Sequence, residues 1–231
     1  MNYIVWEKLA HKYNRLWVQK YSLGPTRREV LKIVLPLLKQ DKSLKILELG
    51  CGTGQLIHEI AQNYPEVNYL GIDVAENMIA AAIESNKIGS NKIESNDVVE
   101  SKVKNLEFRV CPVENFESEK KYDIIICTHA FPYFPDKEAV MKKISTLCSE
   151  KGQVVIVNSS TNSLKDLIIN FFLKATTSKA KYLSIQEMKK LFAIARLQVK
   201  DVRVIRERFY MPTIALFHVL AQQVSDGNKN V

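Results

Sequence analysis

Apolar and polar positions follow two rhythms along this chain, and these rhythms predict strands and helices in alternation. Short, nearly continuous apolar runs predict five strands, at Lys45–Leu49, Asn68–Ile72, Leu106–Val110, Tyr122–Cys127 and Gln153–Val157. Apolar residues at helical spacing predict helices at Pro25–Leu38, Gln55–Asn63, Glu76–Ile83 and Lys137–Leu147. Strands that alternate with helices favour right-handed crossovers, and therefore a mainly parallel sheet with helices on both faces.

The rhythm changes near the end of the predicted sheet. Two further apolar strands, Val199–Ile205 and Thr213–Ala221, have no helix between them. The short connection around Met211 and Pro212 requires these two strands to be antiparallel. The sequence therefore predicts an α/β fold with a mainly parallel seven-stranded sheet and an antiparallel last strand.

Two segments depart from the alternation. Glu84–Lys104 contains the near-repeat SNKIGSNKIESN and few apolar residues, so we interpret it as a mobile insertion that buries little. Ser163–Thr177 predicts a capped helix with an apolar stripe, and a second capped helix starts at Ser184. This stretch is longer than a simple crossover, which makes residues 161–195 a candidate lid.

Composition restricts the classes of protein to consider. No apolar run approaches the roughly 20 residues needed to span a bilayer, and no signal-peptide pattern is present. We therefore expect a cytoplasmic protein without a membrane partner. The four widely spaced cysteines lack a C-x-x-C pair, so neither a metal site nor a disulfide framework is predicted.

The formal net charge of +8 is unevenly distributed. Residues 1–40 carry +6, residues 41–160 carry −5 and residues 161–210 carry +7. The basic flanks are consistent either with a solvated surface or with an anion-binding role, because such patterning concerns partners and not the fold.

A glycine-rich stretch, ILELGCGTGQL, begins at Ile46 and follows the first predicted strand. At the carboxyl end of a parallel strand, glycines let the backbone approach a ligand, and the next helix offers free N–H groups. The spacing Gly50-x-Gly52-x-Gly54 is tighter than the dinucleotide fingerprint, and no G-K-[ST] follows, which excludes a phosphate loop. Asp73 ends the second predicted strand about 20 residues later, where a carboxylate can accept both hydroxyls of a ribose.

The motifs LELGCGTG, GIDVAENM, YDIIICTHAFPYFPD and KGQVVIV together resemble the class I S-adenosylmethionine-dependent methyltransferases, which have a Rossmann-like fold. The resemblance covers roughly residues 25–160 and implies S-adenosyl-L-methionine as the cofactor. It implies that Glu48 and the Gly50–Gly54 loop hold the methionine part, and that Asp73 holds the ribose. The cofactor-binding residues expected on this basis are Glu48, Gly50, Cys51, Gly52, Thr53, Gly54, Asp73, Val74, Met78, Val113, Glu114 and Thr128.

The adenine end of the expected site departs from the family pattern. The resemblance implies that Met78 packs on the adenine and that Val113 and Glu114 lie at its edge. Pro112 stands where the family often has Asp, and proline offers neither an N–H group nor a carboxylate. Glu114 or a backbone group is the candidate replacement.

Catalytic and substrate residues are less defined by the motifs. The family often has a His pair where this chain has Pro132 and Tyr133, whereas His129 comes earlier. His129 is the candidate catalytic base, or else a hydrogen-bonded structural histidine. A base is needed only if the acceptor must lose a proton, and a thiolate or tertiary amine would need none. The aromatic candidates for the substrate site are Tyr13, Trp17 and Tyr21, which could equally pack the first helix on the sheet.

These observations predict a single domain. It comprises N-terminal cap helices (1–40), a cofactor-binding core (41–160), the candidate lid (161–195) and the last two strands (196–222). The leading functional hypothesis is methylation of a small molecule. The alternatives are an RNA or protein methyltransferase, which the basic flanks permit, and a cofactor-binding protein without transferase activity. The motif [ND]-P-P-[YF] is absent after the fourth strand, which disfavours methylation of amino groups on DNA bases. The sequence leaves the oligomeric state open.

Overall fold

The computed structural model describes residues 4–13, 23–87, 102–177, 180–205 and 211–222. The strands are β1 (Lys45–Leu49), β2 (Asn68–Asp73), β3 (Leu106–Val110), β4 (Tyr122–Thr128), β5 (Cys148–Ser159), β6 (Leu197–Ile205) and β7 (Ile214–Ala221). The helices are α1 (Ile4–Tyr13), α2 (Gly24–Gln40), α3 (Gln55–Asn63), α4 (Glu76–Asn86), α5 (Lys137–Leu147), α6 (Leu164–Thr177) and α7 (Ile185–Ile194). Short 3-10 turns follow β3 and β4, at Val113–Asn115 and Phe131–Tyr133.

The strands form one seven-stranded sheet in the order β3-β2-β1-β4-β5-β7-β6. Neighbouring pairs from β3 to β5 are parallel, and β7 is antiparallel to both β5 and β6. Only β7 is therefore reversed, which confirms the predicted fold class. The strand order changes direction between β1 and β4, and open α/β sheets bind ligands in the crevice at such a point.

Helices cover both faces of the sheet, as the isoleucines of β4 illustrate. Ile125 belongs to the apolar cluster that includes α5 and α7, whereas Ile124 and Ile126 belong to the cluster with α2 and α3. All three are at most 1% exposed, which confirms a strand buried on both faces. Burial of each such side chain contributes roughly 1.5–3 kcal/mol to folding.

The predicted insertion is shorter than the sequence suggested. Helix α4 continues to Asn86, whose amide pairs with the backbone of Val103 at 3.1 and 3.2 Å. Val103 itself is buried in the core. The prediction that Glu84–Lys104 buries little is therefore wrong at both ends, because a buried hydrogen-bonded pair closes the segment. Residues 88–101 lie outside the described residues.

Helix α1 lies across the start of α4. The Glu7 carboxylate accepts the backbone N–H groups of Glu76 and Asn77 at 2.7 and 2.9 Å, so it caps α4 from another helix. Ala10 packs with Met78 in the same small apolar cluster. These contacts hold α1 beside the carboxyl end of β2.

Membrane-spanning character is absent from the described helices, since none of them is both long enough and apolar enough to cross a bilayer.

Candidate functional site

The glycine loop after β1 is held in a conformation that suits only glycine. Gly50, Gly52 and Gly54 all have positive φ, at 67°, 54° and 72°. A Cβ on Gly50 would lie 2.3 Å from that of Ala130, and one on Gly54 would lie 2.8 Å from the Phe108 ring. On Gly52 the nearest atom would be 3.9 Å away. The outer glycines are therefore required by packing, whereas a Cβ on the middle one would make only an ordinary contact with the Tyr13 ring.

Asp73 fixes this loop to the end of β2. Its carboxylate accepts the N–H of Gly52 and the N–H of Ala75, each at 2.9 Å. Burial raises the pKa of the Asp73 carboxyl, against the lowering effect of the N–H groups of Ala75, Gly52 and Val74. An ionised carboxylate has about four acceptor positions, so Asp73 retains capacity for ligand hydroxyls.

Glu48 lies beneath the loop and is 2% exposed. Its carboxyl accepts the N–H of Ile57, the third residue of α3, and its Oε2 atom has no hydrogen-bond partner among the described residues. Burial raises the pKa of Glu48 to about 8, and the charge of Asp73 contributes to the rise. A buried, unsatisfied acceptor of this kind fits a ligand group that carries N–H donors and positive charge.

The other loop residues predicted to bind the cofactor have packing roles. The Cys51 sulfur would lie 3.0 Å from a Cβ on Gly71, and burial raises the pKa of the Cys51 thiol. A protonated, buried thiol supports the interpretation of Cys51 as a small packing residue. Thr53 is also buried, and Met78 lies under α1.

The predicted adenine edge follows β3. Val113 is buried in the core, and Glu114 is half-buried with an Oε1 atom that has no partner in the described part of the chain. The Glu114 backbone oxygen accepts the Lys143 ammonium at 2.7 Å, which fixes this turn to α5. Glu114 thus brings an unsatisfied buried acceptor to the end of β3, where Pro112 offers no carboxylate.

His129 follows Thr128 at the end of β4 in a left-handed backbone conformation, with φ of 57°. Its N–H donates to Val157 at 2.6 Å, and its Nε2 atom is 2.8 Å from the buried hydroxyl of Thr26 in α2. Burial lowers the pKa of His129 to about 4, so the ring is neutral at physiological pH. Positive φ in a non-glycine residue is uncommon and occurs preferentially at functional sites.

Aromatic residues cover the loop. Tyr13 lies over Gly52, and burial raises its pKa to about 12. Trp6 makes edge-on contacts with Tyr13 and with Tyr133, at centroid distances of 6.2 and 5.2 Å. The structure therefore brings Tyr13 to the site. Trp17 and Tyr21 lie outside the described residues.

The guanidinium of Arg27 lies close to Glu48 and Tyr13. Arg27 of α2 donates to Gln55 at 2.6 Å and is 3.8 Å from Glu59. Its charge also acts on the carboxyl of Glu48 and on the hydroxyl of Tyr13. Arg27 therefore places positive charge near the start of α3.

The predicted cofactor residues thus lie along one edge, at the carboxyl ends of β3, β2, β1 and β4. Sequence reasoning did not identify several residues of this edge, namely Trp6, Glu7, Thr26, Arg27 and Tyr133. A helical face was readable in Trp6, Ala10 and Tyr13, which are spaced four and three residues apart. The pairing of Thr26 with His129 spans 103 positions and had no local signal. No cluster of His, Cys, Asp or Glu among the described residues could hold a metal.

Comparison with known proteins gives matches over most of this chain. The family described as "Methyltransferase domain" matches residues 40–209. The malonyl-[acyl-carrier protein] O-methyltransferase of Bacillus cereus is 25% identical over 167 residues, which cover 71% of this chain and 56% of that protein. The ubiquinone biosynthesis O-methyltransferase of Acinetobacter baylyi is 27% identical over 168 residues, which cover 68% of this chain and 65% of that protein. The chain spans between about half and two thirds of the length of these curated relatives.

A solved structure shows the same fold. The crystal structure of magnesium protoporphyrin IX methyltransferase from Synechocystis PCC 6803 with bound SAH has a TM-score of 0.66. The superposition covers 90% of this chain and 88% of that chain, at 16% sequence identity.

Proposed function

Because this chain belongs to the class I S-adenosylmethionine-dependent methyltransferases, we propose that it transfers a methyl group from S-adenosylmethionine to an oxygen atom of a small-molecule acceptor. The observation that carries the proposal is the glycine loop itself, with Glu48 unsatisfied beneath it and Asp73 fixed at its side. Bound S-adenosylmethionine supplies a methyl group already activated on a sulfonium. The protein has therefore mainly to orient the two reactants and exclude water.

The amino-acid end of the cofactor carries an ammonium and a carboxylate, and the site offers a complementary charge for each. Glu48 has a buried acceptor without a partner, which matches the ammonium. Arg27 lies close enough for its charge to act on Glu48, which matches the carboxylate. Asp73 would accept the ribose hydroxyls, and the buried Met78 and Val113 would contact the adenine.

The covering of the loop supports a small acceptor. Helix α1 lies on α4 through the Glu7 cap, and Tyr13 lies over Gly52. Trp6 extends this cover to Tyr133. A wide nucleic-acid groove would leave the loop open along its length, whereas this arrangement encloses it with aromatic side chains.

The state of His129 restricts the acceptor. Burial holds its pKa at about 4, far below the value that suits a general base at neutral pH. If Nε2 donates to Thr26, Nδ1 remains an acceptor that can orient an O–H or N–H group of the substrate other than the ionised oxygen. We therefore propose an acceptor oxygen that is ionised before transfer, such as a carboxylate or an acidic hydroxyl. The names of both relatives, which are O-methyltransferases, support oxygen as the acceptor atom.

The test is a methyl-transfer screen with purified protein and labelled S-adenosylmethionine. One pool contains small carboxylic acids and their thioesters, a second contains acidic phenols, and a third contains aliphatic alcohols and amines. We expect product, identified by mass spectrometry, in the first two pools only. Asp73→Ala is the control for cofactor binding. His129→Gln should raise the KM for acceptor more than it lowers kcat, because an orienting residue is lost and not a base.

Other outcomes would contradict specific parts of this proposal. Product only from alcohols or amines would refute the ionised acceptor. Transfer to RNA, with an affinity that falls steeply between about 50 and 200 mM salt, would replace the small molecule by nucleic acid. Cofactor binding without transfer to any pool would favour a binding protein without transferase activity.

A further inference from the structure

Helix α6 carries its polar face inward and its apolar face outward. Asp166 and Asn170, one turn apart, are each 2% exposed. The Asp166 carboxylate accepts the N–H of Thr213 at 2.9 Å and that of Asn162 at 3.1 Å. The Asn170 amide oxygen accepts the Ser159 hydroxyl at 2.7 Å. These buried bonds fix the rotation of α6 about its own axis. Rotating the helix so that its apolar face pointed inward would leave the bonding groups unsatisfied.

The outward face is a continuous apolar stripe. Its members are between 51% and 72% exposed, and they are Leu164, Leu167, Ile168, Phe171 and Phe172. Their spacing places them on one side of the helix over two turns. Exposed apolar patches of this kind in soluble proteins mark contact surfaces.

The sequence that contains this stripe is basic. From Ser163 to Tyr182 the sequence has a single acidic residue, Asp166, and that residue is buried. The basic residues of the same stretch are Lys165, Lys174, Lys179 and Lys181. Of these lysines, Lys165 is exposed on α6, and the excess of positive charge in this part of both copies disfavours self-association through α6. An anionic surface would be complementary to them.

The stripe has the properties of an interfacial helix. Its five members carry no hydrogen-bonding side chain, and the neighbouring Lys165 is exposed and has a long stem that can reach past an apolar layer. A protein partner would normally supply matched hydrogen bonds, whereas a bilayer interface requires none. We infer that α6 lies on the surface of an anionic lipid bilayer, with Phe171 and Phe172 in the acyl boundary and Lys165 among the headgroups.

Peripheral binding of this kind departs from the expectation of no membrane partner, which rested on the absence of a spanning segment. With 14 residues, α6 is shorter than the roughly 20 residues needed to cross a bilayer. The inference rests on α6 alone and holds whether or not the proposed acceptor is correct. It would bring the carboxyl edge of the sheet close to the lipid surface, because α6 follows β5 at that edge.

Vesicle sedimentation with the full chain tests the inference. The probes are vesicles of phosphatidylcholine alone and vesicles with about one quarter phosphatidylglycerol. We expect binding to the anionic vesicles only, weakened as salt rises from about 50 to about 300 mM. The double variant Phe171→Ser with Phe172→Ser should lose at least about tenfold in partition coefficient. Ile194→Ser removes an exposed apolar residue of α7 and is the matched control, which should bind like the parent protein.

Three results would overturn the inference. The first is the absence of binding to anionic vesicles at low salt. The second is equal binding by the parent and the double phenylalanine variant, with circular dichroism showing both folded. The third is a dimer in light scattering that this double variant converts to a monomer, which would assign the stripe to contact between copies.

Discussion

Glu48→Gln should stabilise the ligand-free protein at alkaline pH and weaken its hold on the cofactor. Burial raises the pKa of Glu48 from 4.5 to about 8, against the lowering effect of the Ile57 N–H. The folded protein therefore binds this proton more tightly than the unfolded chain does. The resulting stabilisation is complete below pH 4.5 and is lost as the pH rises to about 8.

The size of the effect follows from the two pKa values. Each pKa unit corresponds to about 1.4 kcal/mol, so the rise from 4.5 to about 8 corresponds to roughly 5 kcal/mol of unfolding free energy. The glutamine in Glu48→Gln keeps an acceptor for the Ile57 N–H but buries an NH₂ group without a partner, which costs roughly 1–3 kcal/mol. We therefore expect a net gain of roughly 2–4 kcal/mol at about pH 9 and a small loss at about pH 5.

Urea unfolding of the ligand-free proteins from about pH 5 to about pH 9 measures this difference. Glu119→Gln changes an exposed carboxyl and is the matched control, whose curve should follow that of the parent. If the unfolding free energies of the parent and Glu48→Gln stay parallel across this range, Glu48 does not titrate there and the argument fails.

Calorimetry links the same proton to the cofactor. If Glu48 receives the cofactor ammonium, binding near neutral pH ionises the carboxyl, so the parent protein should release close to one proton. Titrations in two buffers of different ionisation enthalpy measure this release. Glu48→Gln should release almost none and bind at least about tenfold more weakly, because a charge-assisted hydrogen bond is lost. Equal proton release by both proteins would refute the pairing of Glu48 with the ammonium.

The remaining predictions concern four other positions. Asp73→Ala should weaken cofactor binding at least about tenfold in calorimetry while circular dichroism shows the fold intact, since it removes charge-assisted bonds worth roughly 1.5–3 kcal/mol each; an unchanged dissociation constant would contradict its role. Asn86→Ala should lower the unfolding free energy in urea by roughly 1–3 kcal/mol, because it leaves both backbone groups of Val103 buried and unpaired; a change near zero would show that this pair does not close the insertion. Gly54→Ala should destabilise more than Gly52→Ala in thermal melts, because Gly54, unlike Gly52, lacks room for a Cβ.

Most strands and helices were predictable because their signals are local. The predicted boundaries of β1, β3 and α5 are those of the structure, since β1 ends at Gly50, β3 ends shortly before Pro112 and α5 begins after its cap Asp136. The predicted cap at Ser184 is confirmed as a reciprocal capping box with Glu187. Such signals lie within a few residues of one another, so the sequence contains them in full.

Predictions that depend on distant partners were less complete. The expected cap at Ser163 forms only in part: its hydroxyl accepts the N–H of Asp166, but the Asp166 carboxylate binds Thr213 and Asn162 instead. The sequence predicts Asn86 to be part of a polar insertion, whereas in the structure its side chain is buried and hydrogen-bonded to the backbone of Val103. In each case a buried hydrogen bond to a residue far along the chain overrides the local pattern.

The attachment of the N-terminal helices also explains how a covered site can admit a cofactor. Helix α1 is held to α4 by the Glu7 cap, a small cluster around Ala10 and aromatic edge contacts, and Ala10 is the one buried residue among its described side chains. Helix α2, in contrast, buries Val30 and Val34 completely against the sheet and is tied to β4 by the pair of Thr26 and His129. Elements with few buried apolar contacts open at lower free energy than the core. Opening of α1 would therefore expose the glycine loop while α2 keeps the carboxyl end of β4, and with it His129, in place.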